Sequence, residues 1–165
     1  LNYKLAQTRE IKMIEGAVLK KLIVHKDERG QLFEIMRSDD ELFEKFGQCY
    51  ITVCAPGWVK GWHFHRLQTD FFCVLRGKSK IVLCDKRKKS KTYNQVEEYI
   101  LTAEEPSVLR IPKGVIHGFE TFGDEPSWIM NMPTKLYNRK KPDEFRFPLN
   151  TDEVPYEPWK SKKGW

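Results

Sequence analysis

The 165-residue chain is 40% apolar and 13% aromatic and carries a net charge of +6. That size suffices for one domain able to bury roughly 70% of its unfolded surface without staples, and no apolar run nears the ~20 residues of a membrane span. The positive excess does not by itself indicate nucleic acid. Five basic residues, Lys86, Arg87, Lys88, Lys89 and Lys91, form one run between apolar segments, which reads as a solvated loop without aromatic stacking residues.

In chain order, Leu1-Asn2-Tyr3-Lys4 lacks a signal-peptide core. β-rich segments are then expected at Ala17 to His25, Gln31 to Arg37, Gln48 to Ala55, Val59 to His65, Asp70 to Arg76 and Ser79 to Cys84. They continue at Val96 to Leu101, Ser107 to Ile111, His117 to Phe122 and Ser127 to Met132. Short strands at such spacing predict an antiparallel sandwich or barrel, with the wholly apolar runs Phe71 to Leu75 and Ile81 to Cys84 central. One short helix is expected after the capping box Ser38-Asp39-Asp40-Glu41, with Leu42, Phe43 and Phe46 on one face and Gly47 at its end. The core spans about 17–132. From Pro133 the composition turns rich in Pro, Lys and Asp, with aromatic anchors Tyr137, Phe145, Phe147, Tyr156 and Trp159. Residues 133–165 therefore read as a tail wrapped over the same single domain. Cys49, Cys54, Cys73 and Cys84 form no C-x-x-C pair and sit in apolar surroundings. Reduced thiols in a soluble, cytoplasmic protein are the expectation.

Three of the four histidines fall in two segments. Gly57 to His65, continuing through Asp70 to Gly77, reads G-x5-H-x-H-x4-D-x6-G, and Pro112 to His117 reads P-x-G-x2-H. Residues i and i+2 of a strand share a face, so His63 and His65 project together while Phe64 points away. Asp70 after a turn and His117 from a later strand would complete a nitrogen and oxygen set suited to Zn, Fe, Mn, Ni or Cu. By the same parity Trp58, Lys60 and Trp62 face away from His63, and the two tryptophans read as core or dimer packing. His25 lies in a loop-like stretch and reads as a solvated or rim residue.

The two motifs resemble the signatures of the cupin superfamily, with Asp70 where that pattern usually has glutamate. Further stretches resemble the dTDP-4-dehydrorhamnose 3,5-epimerase family: Asp27-Glu28-Arg29-Gly30-Gln31-Leu32-Phe33-Glu34, Lys60-Gly61-Trp62-His63-Phe64, Val74-Leu75-Arg76-Gly77 and Ile111 to Phe119. The resemblance runs from about Leu22 to about Leu149. It implies an all-β cupin jelly roll that forms homodimers, serves polysaccharide biosynthesis and acts on a nucleotide-linked keto sugar without a cofactor. It also implies that His63 is the base that takes a proton beside the keto group, with Lys60 or His117 holding the enolate oxygen. Arg29 and Gln48 match substrate-contacting positions, and Tyr50, His65 and Asp70 join them as expected substrate-binding residues.

Departures from the family pattern are specific. The family's catalytic tyrosine aligns near Met130, whose thioether cannot donate a proton, so Tyr50 or Tyr137 becomes the candidate acid. Asp70 stands where the family has lysine and His65 where it has glutamine. No aspartate matches the one that orients the family's histidine. These changes keep open a metal-dependent cupin, with one divalent transition metal on His63, His65, Asp70 and His117, and a non-catalytic sugar-binding cupin. Neither nucleic acid nor membrane is an expected partner.

Overall fold

Alternating apolar and polar residues build twelve strands in the computed structural model, which describes residues 13–164; the reading of Leu1 to Lys4 lies outside them. They are β1 (Val18–Lys21), β2 (Val24–Asp27), β3 (Gly30–Phe33), β4 (Tyr50–Cys54), β5 (Val59–Phe64) and β6 (Asp70–Arg76), followed by β7 (Lys78–Asp85), β8 (Val96–Thr102), β9 (Ser107–Ile111), β10 (Val115–Thr121), β11 (Ser127–Asn131) and β12 (Phe145–Arg146). Two antiparallel five-stranded sheets, ordered β1-β9-β6-β11-β4 and β12-β5-β10-β7-β8, face each other, and β2 and β3 form a separate hairpin. This is the jelly-roll sandwich of a cupin.

Strand parity sorts the core. Phe72, Val74, Ile81, Leu83, Leu109, Phe119 and Ile129 fill the space between the sheets. Their alternating neighbours point outward but are also covered, which explains why the strands at Phe71 to Leu75 and Ile81 to Cys84 are apolar throughout. Phe71, Cys73 and Val108 lie under Leu22, Ile35, Met36 and Leu42 from the N-terminal segment. Val59, Trp62, Val82, Cys84 and Ile116 lie under Leu149, Val154, Tyr156 and Trp159 from the tail. Each such buried side chain contributes about 1.5–3 kcal/mol.

The tail joins the second sheet directly. Phe145 and Arg146 pair with Phe64 and His63, and Phe147 exchanges backbone hydrogen bonds with Trp62 at 2.9 and 3.2 Å. A single 3₁₀ turn, Glu157–Trp159, delivers Trp159 onto Trp62 with ring centroids 4.5 Å apart. Gly61 and Gly118 let β5 and β10 approach closely beneath it. A Cβ on Gly118 would lie 2.8 Å from the Trp159 ring, and one on Gly61 would lie 2.8 Å from the Gly118 Cα.

The expected helix after Ser38 does not form. Residues 38–42 are turns, with Asp40 N–H donating to the Arg37 carbonyl and Phe43 N–H to that of Asp40. Lys20 pairs with Asp40, Leu42 packs on the sheet and Glu44 binds Arg110, so tertiary contacts outweigh the capping signal in a segment too short to be helical alone. Gly47 is required for contact rather than to stop a helix, since a Cβ there would lie 2.4 Å from the Lys135 backbone. The expected strand Ala17 to His25 divides into β1 and β2, and the one begun at Gln31 ends at Phe33. No helix among the described residues is long and apolar enough to cross a membrane.

Candidate active site

β5 and β10 carry the histidines. His63 and His117 are register partners, with rings 4.2 Å apart, and His65 continues the His63 face just beyond β5. Asp70 opens β6 on the facing sheet and is 1% exposed. Its Oδ1 accepts from Gln68 Nε2 at 2.9 Å and Asn131 Nδ2 at 2.8 Å. Its Oδ2 lies 3.6 Å from His65 Nε2 and 3.8 Å from His117 Nε2. On their other sides His117 Nδ1 meets the Val115 carbonyl at 3.0 Å and His65 Nδ1 meets that of Asp143. Each ring therefore donates from Nδ1 and turns its Nε2 toward Asp70. The buried His117 Nε2 has no hydrogen-bond partner among the described residues.

Between the sheets beside this cluster lies a cavity of about 170 Å³, lined by Lys60, His63 and His65 from one wall and Tyr50, Thr52 and Phe72 from the other, with Phe119 and Glu144. Lys60 reaches it because β5 carries a bulge. His117 pairs with His63 and Phe119 with Lys60, so Gly61 and Trp62 of β5 stand opposite Gly118 alone. The extra residue turns Lys60 onto the His63 face, where its Nζ donates to Thr52 Oγ1 at 2.9 Å. The parity expectation is thus corrected for Lys60. It holds for Trp62, which is fully buried on the opposite face, whereas Trp58 is half exposed near Lys163 and not in the core.

Electrostatics keep His63 and His117 neutral. Burial lowers the His63 pKa well below 6.5, reinforced by His117, His65 and Arg146 nearby. Burial also takes His117 down to about 4, against the opposing pull of Asp70. The Tyr50 phenol is pushed up to about 12, first by burial, with Asp70 and Glu144 adding to it and the Asn131 hydrogen bond opposing it.

The structure does not bring every expected residue to the cavity. His117 and Asp70 lie behind its wall. Arg29 sits on the β2–β3 hairpin, bonded to Asp27 in a separate groove that also contains His25. Gln48 accepts from the Tyr137 N–H at 3.1 Å and so anchors the tail instead. Met130 lies opposite Cys73 on the outer face of its sheet, while Asn131 points inward. Sequence reasoning missed Thr52, Phe72, Phe119, Asn131, Asp143 and Glu144. Strand parity would have found Asn131, but the tail residues carry no local signal. Asp143 holds the His65 turn, its carboxylate accepting from Arg66 N–H at 3.0 Å and Leu67 N–H at 2.7 Å. A second cavity of about 480 Å³ shares His65 and is lined by Arg66, Lys135, Tyr137 and Lys141 among others.

A cupin sandwich enclosing three histidines, with a lysine in the same small cavity and a basic cavity adjoining it, suits the nucleotide-sugar epimerase class, and the relatives of this chain are of that class. The chain belongs to the family described as the polysaccharide biosynthesis C-terminal domain, matched over residues 25–145. It is 38% identical over 142 residues to the spore coat polysaccharide biosynthesis protein SpsL of Bacillus subtilis, covering 86% of this chain and 94% of that protein. It is 35% identical over 139 residues to the probable low-salt glycan biosynthesis epimerase Agl13 of Haloferax volcanii, covering 83% and 89%. Among solved structures, a dTDP sugar isomerase from Desulfovibrio desulfuricans superposes with a TM-score of 0.83 at 31% identity, covering 90% of this chain and 93% of that one.

Proposed function

We propose that this protein epimerises a nucleotide-linked 4-keto sugar, with His63 removing the proton from the carbon beside the keto group. The observation that carries this reading is a neutral, half-buried His63 sharing a cavity of about 170 Å³ with Lys60. A neutral imidazole accepts the proton, and the pair of electrons moves onto the keto oxygen, where Lys60 offsets the developing charge. His117, turned toward Asp70, is the weaker candidate for that oxygen. The adjoining cavity supplies Arg66, Lys135 and Lys141 for a diphosphate. In ²H₂O the protein should place deuterium at carbon 3 or 5 of dTDP-4-keto-6-deoxyglucose or of a UDP-linked 4-keto-6-deoxy sugar. No exchange on any of them removes this assignment.

A second reading, a divalent metal at the same cluster, is favoured by the paired Nδ1 donations and the unpartnered His117 Nε2. Metal-binding histidines use one nitrogen for the ion and donate from the other. Donor nitrogens of His63, His65 and His117 lie within 4.8 Å of one another. Bonds of about 2.1 Å in a tetrahedral site imply ligand separations of about 3.4 Å, close to the 3.6 and 3.8 Å from Asp70 to His65 and His117. His63, His65 and His117 would hold such an ion, with the Asp70 carboxylate facing His65 and His117 rather than gathered with all three histidines, and the ion would supply Lewis-acid polarisation of the sugar oxygens. Protein purified without chelator should then contain near-stoichiometric metal that is lost in His117→Ala. Metal-free protein in both cases rejects this reading.

Two copies of the chain are proposed to associate through the β4 side of the sandwich. β4 is an edge strand, and Ile51, Val53 and Trp128 leave an apolar patch exposed on its outer face. Light scattering should give about twice 19.6 kDa; a mass equal to one chain discards the dimer.

A further inference from the structure

We infer that Tyr50 is the acid that returns a proton to the sugar from the side opposite His63. The inference rests on the epimerase reading and names a residue for its second half. Inversion at carbon requires proton removal from one face and delivery to the other, so two groups must approach the substrate from opposing walls. The walls here are the two sheets. His63 projects from β5 in one and Tyr50 from β4 in the other, and both line the same cavity.

The hydrogen bonds around Tyr50 prepare its hydroxyl to donate. Tyr50 and Asn131 are register partners on β4 and β11. Asn131 Oδ1 accepts from the Phe71 N–H at 3.1 Å, which fixes the amide so that its Nδ2 points at Tyr50 Oη, 2.9 Å away, and at Asp70. The phenol oxygen is thus an acceptor already, and among the described residues nothing takes its proton. A phenol whose pKa is raised by burial keeps that proton until a carbanion-like carbon is presented.

The other groups in the cavity are less suited. Lys60 belongs to the same strand as His63, and Thr52 already accepts from it. Glu144 comes from beside β12, next to β5, and is paired with Arg146. Tyr137 lines the adjoining cavity. Asn131, the inward residue of β11 beside Tyr50, holds the phenol oxygen with its amide, which is itself too weak an acid to protonate carbon.

The step balances without a further reactant. His63 breaks the C–H bond and keeps the proton, leaving the electron pair in the enolate. The Tyr50 O–H bond breaks as a new C–H bond forms on the other face from that pair, and the carbonyl is restored. Imidazolium and phenolate return to their resting states by exchange with water.

Tyr50→Phe tests this, because it keeps the ring and removes only the proton. Wild type and variant are incubated in ²H₂O with dTDP-4-keto-6-deoxyglucose and with a UDP-linked 4-keto-6-deoxy-N-acetylhexosamine. Deuterium uptake and configuration are read separately by NMR, and folding by circular dichroism. The variant should still take up deuterium with retained configuration, within about tenfold of the wild-type rate, while inversion falls by about 10²–10⁴-fold. Inversion within threefold of wild type overturns the assignment, as does equal loss of exchange and inversion in a folded variant. A variant that does not fold also overturns it, since Tyr50 would then be structural. Should the wild type exchange on neither sugar, the epimerase reading itself fails, and that outcome is distinguished by the wild-type control alone.

Discussion

His63→Asn lowers deuterium exchange and turnover by about 10²–10⁴-fold, the usual contribution of a general base, while leaving the fold intact. Asparagine keeps a polar side chain of similar reach but cannot accept a proton at neutral pH. A rate within tenfold of wild type would show that another group is the base. The pH profile carries the same signature. The base works when deprotonated, and burial holds the His63 pKa well below 6.5. Activity should therefore stay level through neutral pH and fall only as the pH drops through that lowered value, placing the acid limb of kcat/KM below the ordinary histidine range. An acid limb at or above pH 6.5 contradicts the desolvated, neutral imidazole. Metal analysis of the same variant separates the loss of a base from the loss of a ligand.

Trp159→Ala destabilises the protein by about 3–5 kcal/mol, the range for deleting a buried large aromatic. Trp159 is fully buried, lies against Trp62 with the rings tilted by 36° and meets Tyr156 edge-on with centroids 5.2 Å apart. Its Nε1–H donates to Glu120 Oε1 at 2.9 Å. Removing it opens a cavity against Gly118 and withdraws one donor from a carboxylate that Lys80 and Lys162 would continue to hold. Trp62 lies one residue from His63, so the damage reaches the site through β5. Thermal unfolding should show a Tm lower by roughly 10 °C. A loss below about 1 kcal/mol would mean the tail rests on the sandwich without stabilising it.

Much of the site is local information. A two-residue repeat puts His63 and His65 on one face, and a glycine turn after Pro112 delivers His117 to the neighbouring strand, where it pairs with His63. The apolar runs at Phe71 and Ile81 carry their burial on both faces openly. The missing helix is the instructive failure. Its capping box is real chemistry, but Asp40 and Leu42 gain more from Lys20 and the sheet than from a helical turn. Arg29 and Gln48 match their motif positions by sequence, yet each is engaged elsewhere, by Asp27 and by the Tyr137 backbone.

The strand-rich class, the histidine cluster and the family can be read along the chain, because they depend on periodicity and on spacings within a few residues. That Lys60 joins His63 cannot be read along the chain, since the bulge that turns it exists in the pairing of β5 with β10 and not in β5 alone. The same holds for Asn131 facing Tyr50, which is a matter of register between β11 and β4, and for Asp143 and Glu144, which arrive from a tail more than seventy residues after the histidine pair. Such contacts are chosen by which arrangement buries Trp159 and satisfies Asp70 and His65 together. That choice is a sum over distant residues, and no local stretch of chain records it.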